Sequence, residues 1–280
     1  MSEHFIVRGT VAHCLDAPVV DPVRSSVEVF EDGVIEVADG RIISVGSAPS
    51  RMADDVRVID ARGHLLVPGL FDVHTHYPQT GMIGAWGEQL LDWLAHYTFP
   101  TEARFSDSEY ADRIADIFVR HLLANGTTTA MVFGTVHPQS VDAVMKRARA
   151  ASLQLIAGKV MMDRNAPTQL CDTPASSYAQ SKALAERWHG VDRLHYAVTP
   201  RFAPTSSSAQ LEQAALLLSE HPGTYLQTHV AESTAEVAWV RDLFPQARSY
   251  LDVYAGHGLL TSRSVLAHCL HLDDPDLETF

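Results

Sequence analysis

Apolar residues along this chain change their period near residue 66. Before it, short alternating runs at Phe5 to Leu15, Val27 to Phe30, Gly33 to Ala38, Arg41 to Val45 and Val56 to Ile59 predict strands, because period-2 alternation suits a strand with one buried face. Asp32-Gly33 and Asp39-Gly40 are hairpin-turn dipeptides. Residues 1–66 are therefore expected to form a small antiparallel β module, the N-terminal part of a β-sandwich. His4 and His13 are read there as surface or edge residues, and the module holds no candidate catalytic cluster.

From residue 67 onward, apolar runs alternate with amphipathic segments, as βα units on a parallel sheet do. An apolar run from Leu65 to Val73 leads into a first strand ending at His76, with Pro68-Gly69 at the entry and Tyr77-Pro78 at the exit. Further strands are expected at Thr127 to Thr135, Leu153 to Met162, Leu194 to Thr199, Tyr225 to His229 and Ser264 to Leu270. Helical patterns lie between them: an amphipathic stretch from Gly87 to Phe105, a clear helix from Ser108 to Asn125 closed by Gly126, then Ser140 to Ala150, Ser176 to His189, Ser207 to Glu220 and Ser233 to Leu243. Six strands are two short of a (β/α)8 barrel. The expected fold class is α/β, a TIM-type barrel over residues 67–280 truncated after its sixth strand. An open barrel leaves two strand edges unpaired, so a fragment, or a chain completed by another chain, is expected.

Composition narrows the function classes. Of 280 residues, 46% are hydrophobic and 20% charged, which is ordinary globular composition. The formal charge is −13, from 34 acidic against 21 basic residues, and no Lys/Arg block offers a face for phosphates, which argues against a nucleic-acid partner. No run of about 18 apolar residues occurs, so no membrane association is expected. The N-terminus lacks a basic-then-apolar signal pattern. Cys14, Cys171 and Cys269 form no C-x-x-C pair, which points to a reducing compartment. A cytoplasmic protein is the default expectation.

The chemistry gathers at the carboxyl ends of the barrel strands, where barrel active sites form. His74 and His76 are two apart, so in a strand both rings point to one face and suit a divalent transition metal. An isolated H-x-H is otherwise two unrelated loop histidines. His229, at the fifth strand's end, is a third candidate ligand; its alternative is a core histidine satisfied by a backbone carbonyl. Glu232, just past it, is placed to take a proton from water and pass it to a ring nitrogen, or else to favour a helix N-terminus. His268 is a candidate for orienting water or a developing oxyanion, with a structural role as the alternative, and His271 reads as loop. Arg201 and Phe202 offer a guanidinium fork and a flat apolar face to a heterocycle, unless they are a surface arginine and a core phenyl. The Gln79 amide suits a purine edge, where donors and acceptors alternate.

These residues sit in stretches that carry a resemblance. VHTHYPQT, WGEQLLDWLAHYTFP, NGTTTAMVFGTVHPQS, AGKVMMDRNAP, AVTPRFAPTS, LQTHVAES and VLAHCLHLDD together resemble the guanine deaminases, metal-dependent deaminases of the amidohydrolase superfamily, along essentially the whole chain. The resemblance implies hydrolysis of guanine to xanthine and ammonia, with one zinc per chain held by His74, His76 and His229. It further implies Glu232 as proton shuttle, His268 as a second catalytic group, Gln79, Arg201 and Phe202 on the base, and water attack at guanine C2 with proton delivery to N3. A homodimer is the expected assembly.

One departure from the family pattern stands out. The metal-binding aspartate at the end of strand eight has no counterpart, since Asp273, Asp274 and Asp276 come too early. Rival readings are an amidohydrolase acting on a triazine or pterin ring, iron in place of zinc, and an inactive fragment serving as a binding or scaffold protein. A dinuclear site built on a carbamylated lysine is disfavoured, because Arg193 to Thr199 contains no lysine and Lys159 falls on strand three. The H-x-E with P-C-x-x-C architecture of other zinc deaminases is absent in usable form.

Overall fold

The structure, a computed structural model, describes residues 4–15, 26–52, 55–86 and 89–279. The chain divides into two compact units, Met1–Gly69 and Leu70–Phe280.

The first unit is one four-stranded sheet: β1 (His4–Cys14), β2 (Val27–Ala38), β3 (Arg41–Ser47) and β4 (Arg57–Leu66), in the order β3-β2-β1-β4. β1 pairs antiparallel with β2, and β2 with β3, but β4 runs parallel to β1. The sheet is therefore mixed, where the turn signals predict a purely antiparallel module. Asp39 and Gly40 do make the β2–β3 turn, both at positive φ (51° and 73°), as a two-residue hairpin turn requires. Asp32-Gly33 does not turn. Gly33 lies inside a continuous β2, opposite Gly9 where the β1–β2 register shifts. A Cβ on Gly33 would meet Phe30 Cβ and Val11 Cγ2 at 2.8 Å, so glycine there permits a bulge with close strand approach. His4 is exposed and pairs with Glu36, and His13 with Glu28. β1 is an inner strand of the sheet, so neither histidine lies on an edge strand.

The second unit carries the parallel sheet. Its strands are β5 (Leu70–His76), β6 (Thr127–Phe133), β7 (Gln154–Gly158), β9 (Leu194–Pro200), β10 (Tyr225–Val230) and β11 (Ser264–His268), laid down in chain order, with the two-residue β8 (Val160–Met161) pairing with β9. Among the described residues six barrel strands are present, as the apolar pattern predicts. The expected strand from Leu65 is two elements: Leu65 and Leu66 end β4, and β5 begins at Leu70. Likewise Leu153 to Met162 is broken at the buried Lys159, which pairs with Asp172. Among the described residues β5 and β11 end the strand order, and Leu70, Phe71 and Val73 on β5 are exposed.

Helices alternate with the strands. A helical segment passes from α1 (Leu90–Trp93) through one π turn (Leu94–Thr98) into α2 (Phe99–Ala103); the first residues expected in it, Gly87 and Glu88, lie outside the described residues. It is followed by α3 (Ser108–Ala124), α4 (Pro138–Ala150), α5 (Pro174–Trp188), α6 (Ser208–Glu220), α7 (Thr234–Leu243), α8 (Tyr250–Gly256) and α9 (Asp274–Leu277). Their starts follow ordinary capping chemistry: Asp107 caps α3, Ser207 caps α6, and Thr173 and Ser233 form capping boxes on α5 and α7. Gly126, at φ +80°, follows α3, in the left-handed conformation typical just past a helix end.

The core lies between these helices and the strands, with Leu155, Tyr196, Leu211, Leu226 and Tyr254 all fully buried. At Gly158 the packing admits nothing larger than hydrogen. A Cβ there would lie 1.8 Å from the Ala197 carbonyl oxygen and 2.1 Å from Thr199 Oγ1. That clearance sets how closely β7 can approach β9.

Candidate active site

β5 ends at His76, and its two-residue period puts the His74 and His76 rings on the same face. β10 brings in His229. One side-chain nitrogen from each of the three lies within 4.8 Å of the others, and among the described residues they form the one such cluster of potential metal ligands. His76 Nε2 is 2.9 Å from His229 Nε2. His229 Nδ1 donates to the Arg201 carbonyl at 2.6 Å, which leaves its Nε2 with a lone pair directed at the cluster. The two sequence readings of His229 thus describe its two nitrogens, one satisfied by a backbone carbonyl and the other free to ligate. His76 Nδ1 is buried without a partner.

Burial keeps all three rings neutral. It pushes His74 down to about 4, with the charges of His268 and Arg201 adding to the effect. His76 and His229 are pushed well below the usual imidazole range, again chiefly by burial. Neutral imidazoles are the form that binds metal. Nitrogen donors with lone pairs facing one point fit a divalent transition ion. Phe133 stacks on His76, with centroids 4.4 Å apart and planes 17° apart, and lies 4.6 Å from His229, so the floor beneath the cluster is apolar.

Around this cluster is a cavity of about 170 Å³ lined by His74, His76, Gln79, Leu90, Trp93, Leu94, Arg201, Phe202, His229, Glu232 and His268. Its volume far exceeds the roughly 10–15 Å³ one water needs, so it has room for a small molecule. Every candidate site residue expected from the sequence lines it. His271 does not, and Lys159 is buried elsewhere. Asp273 and Asp276 are committed to Arg248, and Asp276 also to Ser249.

Glu232 and His268 form the polar side of the cavity, with Glu232 Oε2 3.3 Å from His268 Nε2. Burial raises the Glu232 carboxyl above its usual range, against an opposing pull from Arg201. Three backbone positions at these strand ends, Ala231, His268 and Cys269, sit at φ 51°, 73° and 54°, a left-handed conformation that costs a non-glycine residue of order 1–3 kcal/mol and clusters at functional sites. Glu236 holds the turn from the other side. Its buried carboxylate accepts from the backbone N–H of Glu232 at 2.9 Å and of Ser233 at 3.2 Å, and from the Tyr250 hydroxyl at 2.5 Å. The capping role the sequence allowed for Glu232 therefore falls to Glu236, and the Glu232 side chain is left to face the cavity.

Also in the lining, Phe202 is buried and Arg201 is 2% exposed. The Arg201 guanidinium donates to Glu102 at 2.7 Å. Sequence reading missed Glu102 and Glu236 as site partners, and Leu90, Trp93 and Leu94 as cavity walls. The Leu90/Leu94 pair was legible as an amphipathic face. Nothing in the sequence separates Glu102 from the other acidic residues.

Comparison with known proteins places this geometry. The amidohydrolase family model matches residues 65–280. Guanine deaminase of Escherichia coli (strain K12) is 50% identical over 276 residues, which is 96% of this chain and 62% of that protein. The solved E. coli guanine deaminase superposes with a TM-score of 0.93 at 48% identity, covering 98% of this chain and 65% of that one. Guanine deaminase from C. acetobutylicum, solved with guanine bound in the active site, gives a TM-score of 0.90 at 27% identity over 98% of this chain and 64% of that one. The chain thus spans about three fifths of the length of the relatives it matches.

Proposed function

The chain belongs to the amidohydrolase family, and from that premise we propose that its cavity hydrolyses guanine to xanthine and ammonia with one zinc ion held by His74, His76 and His229. The observation that carries this reading is the convergence on one cavity of three ligand imidazoles, the Glu232–His268 pair and a ring-binding wall of Gln79, Arg201 and Phe202. The identity to guanine deaminases supports the choice of substrate. Bound at the three histidines, zinc supplies Lewis-acid activation of water.

The remaining chemistry belongs to the chain. Glu232 accepts a proton from water as the water oxygen bonds to guanine C2, and delivers it to ring N3. It then takes the proton of the new C2 hydroxyl and passes it to the 2-amino group, the C2–N bond breaks and ammonia departs, leaving the ring carbonyl of xanthine. Its raised proton affinity suits a group that must hold a proton between these steps. His268, beside it, stabilises charge developing at the attacked carbon's oxygen. Arg201 and Gln79 hydrogen-bond the heterocycle's edge, and Phe202 packs on its face.

The three cysteines are unpaired, in keeping with a reducing, cytoplasmic setting, and among the described residues no helix is long and apolar enough to cross a membrane. We take the active assembly to be a homodimer. The test of the reading is conversion of guanine by the purified chain with zinc supplied, following xanthine and ammonia together. One ammonia per xanthine is the expected result. Hydrolysis of a triazine or pterin with guanine untouched would overturn the substrate, and zinc-loaded protein inert to all three would overturn the activity.

A further inference from the structure

The Arg201 guanidinium is not free to choose its orientation. Nη1 donates to Glu102 Oε2 at 2.7 Å, with the two side chains 3% and 0% exposed. Glu102 lies on α2, in the helical segment whose Leu90, Trp93 and Leu94 line the cavity, but does not line the cavity itself. Phe99, three residues earlier, sets its ring centre 5.5 Å from the guanidinium carbon. The Arg201 main chain is held as well: its carbonyl accepts from the backbone N–H and Nδ1 of His229 at 3.1 and 2.6 Å. The same residue is bonded at its backbone to a metal-ligand candidate and at its tip to a carboxylate behind the wall.

A guanidinium is a rigid planar fork, so fixing one terminal nitrogen fixes the direction of every remaining N–H. We propose that Glu102 is a positioning residue: it aims the free edge of the Arg201 guanidinium at the ring carbonyl of the bound heterocycle, and so sets which heterocycle is accepted without touching it, given the reading of this cavity as a guanine site. With both side chains buried, this bond is little screened by solvent, which favours a single orientation of the guanidinium.

The test compares guanine with 2-aminopurine, the same 2-amino ring system without the ring carbonyl, on the full chain loaded with zinc. Glu102→Gln keeps the shape and removes the charge, while Glu102→Asp keeps the charge and shortens the reach. Fluorescence of 2-aminopurine reports its own binding, and its displacement reports guanine, so the readout does not depend on turnover. Glu102→Gln is expected to weaken guanine binding and raise its KM by roughly 10- to 100-fold, the worth of a charge-assisted hydrogen bond, with kcat, zinc affinity and 2-aminopurine binding little changed. Glu102→Asp recovers part of the loss, and in an Arg201→Lys background Glu102→Gln adds little, because the two residues act as one unit. Guanine affinity unchanged in Glu102→Gln, or lowered equally for both heterocycles, would overturn the proposal. Should Glu102→Gln not fold, the double variant Arg201→Gln/Glu102→Gln removes both charges at once, and retained preference for guanine over 2-aminopurine overturns it equally. A wild-type chain that binds guanine without turnover counts against the catalytic reading only; one that binds neither ring counts against both.

Discussion

The Nε2 atoms of His76 and His229 lie 2.9 Å apart although 153 positions of sequence separate them. His76 ends β5, at one end of the strand order, and β10 stands next to the other end. They meet only because the sheet curls, as twisted parallel strands with helices outside them do. With His229 Nδ1–H donating to the Arg201 carbonyl, the two Nε2 atoms face each other across a gap that a shared proton or a cation can bridge.

Replacing either ring should therefore show in metal affinity before anything else. His76→Ala and His229→Ala are each expected to weaken zinc binding by roughly 100-fold or more, since loss of even an outer-shell partner typically costs 10- to 100-fold. His268→Ala should change it far less. Competition with a chromophoric chelator measures all three, and equal losses would mean that His268 is a ligand.

Glu232→Gln should retain zinc and lower turnover by at least about 100-fold, the usual contribution of a positioned proton-transfer group. Burial raises the Glu232 carboxyl, so its protonation should shape the acid limb of kcat/KM at a pH above the ordinary carboxyl range. An acid limb at the usual 4.5 would assign it to a different, solvated group.

Glu236 should matter for stability and activity together. Its carboxylate satisfies two backbone donors and the Tyr250 hydroxyl at a position with no exposure. Glu236→Ala is expected to cost about 3 kcal/mol by stranding these buried donors, and to slow turnover because the backbone that aims Glu232 is released. Urea unfolding and steady-state kinetics on one preparation separate the two effects; full activity at reduced stability would mean that the turn holds without its cap.

Gly158→Ala tests the close approach of β7 and β9. The added Cβ would fall 1.8 Å from a backbone oxygen, which a side-chain shift cannot relieve. Destabilisation by about 3 kcal/mol or more is expected, at or above the upper end of ordinary overpacking. A soluble variant with an unchanged thermal midpoint would show that the strands have slack.

A second histidine group, remote from the cavity, predicts a pH effect on stability. His189 and His195 meet edge to face with ring centres 5.5 Å apart, and both are pushed below the usual imidazole range, first by burial and then by neighbouring cations that include Arg263. The folded state binds fewer protons there than the unfolded state, so stability contributed by these rings is present above about pH 6.5 and is lost as pH falls through the lowered folded values. His195→Gln should make the acid-side fall in thermal midpoint shallower. Both rings are partly exposed, so the change should amount to less than one proton. A steeper fall would reverse the assigned sign.

Much of this was written in local chemistry. The H-x-H spacing, the apolar βα alternation, the Asp39-Gly40 turn and the Ser and Thr caps depend on neighbours within a few residues, where side-chain direction and turn geometry are nearly independent of the rest of the chain. The same local rules misread Asp32-Gly33, because that pair serves a bulge opposite Gly9, and a bulge is defined by the partner strand. They also ran β4 and β5 together across Leu65 to Val73, since an apolar run does not reveal where one strand leaves a sheet and another begins.

By itself, then, the sequence determined the six-stranded parallel architecture and the set of chemically capable side chains, His74, His76, His229, Glu232, His268, Arg201, Phe202 and Gln79. The tertiary structure alone decided their relations. It bonded His229 Nδ1–H to the Arg201 carbonyl, gave the cap at α7 to Glu236 and so left Glu232 facing the cavity, and put Glu102 behind Arg201. Each of these depends on which distant group shares a buried, water-free space. That is set by how the sheet curls and how the segment at Leu90–Ala103 packs, and no spacing along the chain encodes it.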